Sequence, residues 1–291
     1  MQGTVDGFSY GVVTPLVAYL MACLGGALGL RCTTRSMLVA HPWRPAWLAL
    51  GSAAIGSGIW TMHFVAMMGF TVKETPLHYD EPMTYASLGL AIVLVGVGIF
   101  IVGYRGATGA ALFTGGTITG LGVASMHYLG MAAVRLDGKF AYNTLTVAAS
   151  VVIAVVAATT ALWAAGQVRG VLWSVGASLV MGLAVSGMHY TGMAALSVHV
   201  HHAAQGAVDS PPATTLAPML IGPFAFLLLA GVVVMFDPLM IMGRPDWSRA
   251  ERKPGIPAAA VAPHPGRRPL LRPGQEAGQQ AYRRSHASQN W

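Results

Sequence analysis

Long apolar stretches separated by short polar breaks dominate the chain. Runs of about 20 residues, the length needed to cross a hydrocarbon core, occupy residues 8–30, 45–70, 84–104, 108–134, 144–165, 170–199 and 216–242. The pattern predicts an all-α membrane protein with seven transmembrane helices. The breaks at Arg105 and at residues 167–169 are so short that the helices flanking them must form tight hairpins. From Arg244 onward the pattern stops, and the sequence turns to Pro, Gly, Arg and Gln. Such a segment buries too little apolar surface to offset the entropy of ordering it. The expected organisation is a membrane domain over 1–243 and a disordered, basic cytoplasmic tail over 244–291.

Composition agrees with lipid as the solvent. The chain is 54% hydrophobic and 9% charged, whereas a water-facing domain carries about a quarter charged residues. The net charge of +7 is concentrated at one end, because nine of the 17 Lys and Arg lie from Arg244 onward. The charge describes a tail and some loops, and no nucleic-acid partner is expected. Before Arg31 there is no Lys or Arg, so the first run lacks the basic flank of a signal peptide and reads as a retained helix. Cys23 and Cys32 form no Cys-x-x-Cys pair, which leaves no zinc, iron–sulfur or disulfide framework to read. Loops one, three and five, with the tail, hold fourteen basic residues against Lys73, Arg135 and Lys139 on the other side. The positive-inside rule then places the N-terminus outside and the C-terminus inside.

Candidate chemistry lies in an internal repeat. The second, fourth and sixth runs each carry Met-His-Phe/Tyr-x-Ala/Gly-Met: Met62-His63 to Met67, Met126-His127 to Met131, and Met188-His189 to Met193. A glycine lies seven residues before each histidine, at Gly56, Gly120 and Gly182. Spacing of one helical hairpin per copy predicts three two-helix repeats and a closing seventh helix. Alternate helices run parallel, so the three histidines share one depth, near the outer surface in the N-out topology. Each histidine and the methionine four residues later fall about 40° apart on the helix, on one stripe. The methionine just before each histidine points elsewhere and is expected to pack against a neighbouring helix. The glycines invite close approach of another helix.

A histidine inside a bilayer is costly and marks a bundle interior or cavity. Three in one context favour a functional site over structural interhelical hydrogen bonds. Imidazole and thioether suit copper above other ions, Cu(I) tolerating thioether best; zinc seldom uses methionine. The candidate metal ligands are His63, His127 and His189, then Met67, Met131 and Met193, and last Met62, Met126 and Met188, where methionine as core filler is the competing reading. Weaker features are the His-rich stretch Val198-His199-Val200-His201-His202, the aromatics Trp60, Tyr128 and Tyr190, and Asp237 near the inner end of the last run.

These residues resemble the bacterial MHYT domain family. Met188-His189-Tyr190-Thr191 matches the naming tetrapeptide, Met126-His127-Tyr128-Leu129 departs at one position, and Met62-His63-Phe64-Val65 departs at two. The resemblance spans roughly residues 8–242. It implies an integral membrane sensory domain that binds copper through Met and His and responds to a diatomic gas: oxygen, carbon monoxide or nitric oxide. Many relatives continue into cyclase, phosphodiesterase or kinase domains. No catalytic signature of that kind is seen in the chain, so a separate signalling partner protein is expected. Two other functions compete: a copper-handling transporter with the cluster as a transit site, and a haem-binding electron carrier with His axial ligands. No nucleophile–base pair, carboxylate dyad or phosphate loop suggests an enzyme.

Overall fold

The computed structural model describes residues 2–167, 171–201 and 211–237. Within them lie seven helices of 24 or 25 residues: α1 Val13–Ser36, α2 Arg44–Met68, α3 Glu81–Arg105, α4 Gly109–Ala132, α5 Thr144–Gln167, α6 Val171–Ala194 and α7 Pro212–Met235. Six are long and apolar enough to cross a membrane. α4 matches them in length, but its many Gly and Thr residues dilute its hydropathy. Those residues serve packing instead of contact with lipid.

The helices close into a ring of three pairs. α1 packs on α2, α3 on α4 and α5 on α6, while α2 also meets α3, α4 meets α5 and α6 returns to α1. α7 lies outside the ring against α2 and α1. The glycine seven residues before each histidine makes the seam between successive pairs. A Cβ on Gly56 would sit 2.9 Å from the Ile92 backbone of α3, and one on Gly120 only 2.4 Å from the Val155 backbone of α5. On Gly182 it would meet Cys23 of α1, 2.5 Å from the sulfur and 3.3 Å from the backbone nitrogen. The close approaches expected from the motif are therefore present at all three seams. Backbone contact of this kind gives van der Waals attraction where lipid supplies no hydrophobic drive between helices.

Short strands that the apolar pattern does not announce cap the end of the ring where the motifs lie. β1 Val5–Asp6 pairs with β2 Thr71–Val72, β3 His78–Tyr79 with β4 Val134–Arg135, and β5 Gly138–Tyr142 with β6 Leu196–Val200, all antiparallel. A bridge between Gln2 and His199, with Gly3 N–H donating to Val198 O at 2.8 Å, links the first sheet to the last. Each hairpin is thus tied to the next, and the connecting backbone finds partners it would otherwise lack. The apolar run read as 170–199 is split accordingly. Its helix stops at Ala194, and Leu-Ser-Val-His-Val, alternating with period two, becomes β6.

The first run also shifts. Its helix begins at Val13 rather than residue 8 and continues through the polar Thr33 and Thr34. Their hydroxyls donate back to Gly29 O and Leu30 O, both at 2.9 Å, so neither is left unpaired. At the motif end, Asp80 caps α3 by accepting from Met83 N–H at 3.1 Å and pairs with Arg135 at the same distance. These two contacts, the backbone donor foremost, hold its carboxyl below the usual carboxylate range. At the opposite end, Asp237 forms a buried ion pair with Arg35, which also lies over the Trp47 ring. Residues 168–170, 202–210 and 238–291 lie outside the described residues, and with them His202, the end of the seventh run and the basic tail.

Candidate metal centre

The three motif histidines come from α2, α4 and α6 and meet on the axis of the ring. His63, His127 and His189 are 0%, 1% and 2% exposed. Their Nδ1 atoms form a nearly equilateral triangle with sides of 3.0, 3.2 and 3.2 Å. The rings stand almost perpendicular to one another, with centroids 4.9–5.1 Å apart, like blades of a pinwheel.

Hydrogen bonding alone does not satisfy this arrangement. A neutral imidazole has either N–H or a lone pair at Nδ1, never both. Around a triangle of such two-state atoms, at least one pair must be alike. That edge then sets two lone pairs, or two N–H groups, against each other at about 3 Å. Moving the proton to the far nitrogen does not help either, since Nε2 of both His63 and His127 is buried with no partner among the described residues. Each unsatisfied buried donor costs about 1–3 kcal/mol.

A cation at the centre removes the conflict at the facing edges. The point equidistant from the three nitrogens lies about 1.8 Å from each, given the triangle's sides. That is slightly inside a metal–imidazole bond of about 2.0 Å, so small adjustments of the rings suffice. Among the described residues, these three histidines are the group placed to hold a metal ion.

The small residue three positions after each histidine explains how the rings are oriented. A Cβ on Gly130 would lie 2.7 Å from His63 Nε2, and one on Gly192 would lie 2.5 Å from His127 Nε2. The His63 and His127 rings each rest on the backbone of the next motif helix. Ala66, at the corresponding place in the first repeat, lines a pocket of about 320 Å³ at the motif end together with His189. The sequence carries this signal in the Ala/Gly of the repeat, but only the structure shows what the missing side chain makes room for. Gly192→Ala is expected to tilt His127 off the triangle and to lower metal occupancy of the purified protein several-fold. Ala66→Gly should leave occupancy near wild type.

The methionines surround the triad at different levels. Met62, Met67, Met126 and Met131 are fully buried, and Met188 nearly so. Met67 and Met193 line the motif-end pocket with His189, while Met188 borders a cavity on the other side of the triad. Trp60 is fully buried and donates to Thr84 O at 3.1 Å and Ser87 Oγ at 3.0 Å, which makes it a tie between α2 and α3. Tyr128 bonds Ser150 at 2.7 Å, and Tyr190 stacks on Phe8 at 5.9 Å. His199 lies in β6 opposite Lys139, and His201 Nδ1 is 3.7 Å from Asp137.

Comparison with known proteins agrees with this threefold plan. The profile for MHYT, described as the bacterial signalling protein N-terminal repeat, matches residues 56–115, 120–178 and 182–250. The chain belongs to the MHYT family. Each matched MHYT copy starts at the glycine that makes an interhelical seam, so the family's repeat runs from one motif helix into the next pair. The MHYT signalling proteins similar to this chain include two from Pseudomonas aeruginosa. One is the bifunctional diguanylate cyclase/cyclic di-GMP phosphodiesterase MucR, 39% identical over 192 residues, covering 64% of this chain and 28% of that protein. Another is the cyclic di-GMP phosphodiesterase NbdA, 35% identical over 211 residues, covering 68% of this chain and 27% of the relative. The signalling protein YkoW of Bacillus subtilis is 30% identical over 205 residues, or 68% and 25% of the two chains. The matched region thus spans about a quarter of the length of these relatives. No solved structure matches the chain significantly. Its six apolar helices and its family make it a multi-pass bacterial membrane protein.

Proposed function

We propose that the chain is the membrane sensory module of a bacterial signalling system, holding copper at the histidine triad and responding to a diatomic gas. The observation that carries this reading is the triangle of three buried Nδ1 atoms, whose lone pairs one cation at the centre would satisfy together. His63, His127 and His189 would hold the ion, with Met67, Met131, Met193, Met62, Met126 and Met188 as its sulfur-rich surround. Three nitrogens also suit zinc, but this surround and the lack of a carboxylate in the cluster favour copper, and Cu(I) in particular. Bound there, Cu(I) supplies a soft centre able to take oxygen, carbon monoxide or nitric oxide.

The residues' own part is to keep the centre dry and in register. The glycine seams fix the three helices at one depth, and the strand cap covers the motif end. A change of coordination at the triad bears on α2, α4 and α6 at once, so it can bias how the ring packs. The module is read as seven spans, N-terminus outside and C-terminus inside, in the inner membrane. No catalytic step is assigned to it. Output is proposed to pass to a separate partner or domain of the cyclic di-GMP kind that the relatives' names describe.

Two competing functions fit less well. In a haem carrier the macrocycle would have to pass between opposed histidines, and here the imidazole edges touch. A transporter needs a second station for the ion toward the other face, and among the described residues the only such cluster is the triad. Anaerobic Cu(I) loading of purified protein is expected to leave about one copper per chain, as the one triad implies, with an infrared C–O stretch appearing on addition of carbon monoxide. The His63/His127/His189→Ala triple variant should hold none. Copper-free wild-type protein after loading would overturn the metal centre, and a loaded protein inert to all three gases would overturn the sensor.

A further inference from the structure

On the side of the triad away from the strand cap lies an apolar cavity of about 50 Å³. Its position follows the repeat. Ile59, Val123 and Val185, each four residues before a motif histidine, line it, and so do Ile55, Thr119 and Met181, each eight before. Residues four back lie one turn deeper on nearly the histidine stripe, and residues eight back lie two turns deeper and about 80° round the helix, so the cavity lies beneath the level of the triad. One water-sized probe needs roughly 10–15 Å³ of such space, so a diatomic molecule fits with room to spare. Among the described residues, the Thr119 hydroxyl is buried in the wall without a partner, while Thr33, the other hydroxyl-bearing residue of the lining, donates to Gly29 O.

The cavity shares a wall with a second space. A groove of about 650 Å³ runs between α5 and α6 and is bordered by side chains that face outward, Val152, Val156, Trp163 and Val180 among them. Ala157, Ala161 and Met181 line both the groove and the cavity. Two of the three are alanines and the third is a flexible thioether chain, so the partition is thin. On the water side, by contrast, the three paired sheets and the Gln2–His199 bridge stand over the triad.

We propose that this cavity is a docking site for a small apolar gas molecule, reached sideways from the lipid through the α5–α6 groove past Ala157, Ala161 and Met181. Oxygen, carbon monoxide and nitric oxide all dissolve better in hydrocarbon than in water, so the membrane presents them at the groove in concentrated form. An aliphatic cavity stays dry and takes apolar guests, and it rejects anions that would otherwise compete for a copper centre. The identity of the physiological guest rests on the gas-sensing reading; the existence of the docking site does not.

Xenon tests the site without any metal. Metal-free crystals pressurised with xenon are expected to show the gas bounded by Ile59, Val123 and Val185. Wild-type crystals with no xenon there would overturn the docking site. Carbon monoxide tests the route in copper-loaded protein in nanodiscs, by rebinding after flash photolysis. Ala177→Trp and, independently, Ala164→Phe, both in the groove and outside the cavity lining, should slow rebinding about tenfold or more while copper content and the C–O stretch stay unchanged. Unchanged rebinding in both variants would overturn the lateral route. Xenon in the cavity of a protein that never binds carbon monoxide would support the docking site while sinking the gas-sensing reading, so the two fail separately.

Discussion

His127→Leu should abolish copper binding and yet leave the metal-free protein at least as stable as wild type. Metal-free wild type carries the conflict of a like pair among three Nδ1 atoms, together with two buried Nε2 atoms that have no partner among the described residues. Leucine at position 127 removes one ring, ends the conflict at the triangle and deletes one of the unpartnered nitrogens. Each such group relieved is worth about 1–3 kcal/mol, offset in part by the mismatch of leucine with an imidazole-shaped space. A structural triad predicts the opposite sign, since a satisfied buried hydrogen-bond network loses stability when a member is cut. Thermal melts of metal-free wild type and variant in the same detergent separate the two. A midpoint well below wild type would assign the histidines to holding the fold together.

Gly120→Val is expected to abolish folded protein. At this seam the new Cβ would lie 2.4 Å from the Val155 Cα and 2.8 Å from the Ala154 carbonyl oxygen. Both are backbone atoms of α5, so no rotamer change makes room. Overpacking in a soluble core costs about 1–3 kcal/mol and sometimes more; here relief requires moving a whole helix, which also pulls His127 from its partners. The expected readout is loss of the monodisperse peak in detergent gel filtration. Gly89→Ala is the control, since nothing lies within 4 Å of a Cβ there. A well-folded Gly120→Val protein with intact copper binding would contradict the seam as described.

These outcomes bear on what the chain discloses before it folds. Three copies of Met-His-x-x-Ala/Gly-Met, each behind a glycine at minus seven, were enough to place His63, His127 and His189 on one level and to foresee the seams at Gly56, Gly120 and Gly182. Both follow from helical period alone. The convergence of the Nδ1 atoms did not, because ring orientation depends on which backbone each imidazole rests upon, and Gly130 and Gly192 belong to other helices. The cap was hidden for a different reason: strands of two residues, such as β1 to β4, are too short to show a period. The sequence shows Asp237 only as an acidic residue near the inner end of the last run; in the fold it is buried against Arg35, a pairing between α1 and the end of α7 that no local pattern carries. Hydropathy was least informative for α4, where glycines needed for packing lower the apolar signal of a helix that holds a central histidine.

The most direct test is X-ray absorption at the copper edge of anaerobically loaded protein. The account predicts a shell of three nitrogen neighbours near 2.0 Å with the outer scattering of imidazole rings, reduced in Gly192→Ala and absent in His127→Leu. A shell dominated by sulfur, or an imidazole signal that survives loss of His127, would contradict a centre built on the three histidines.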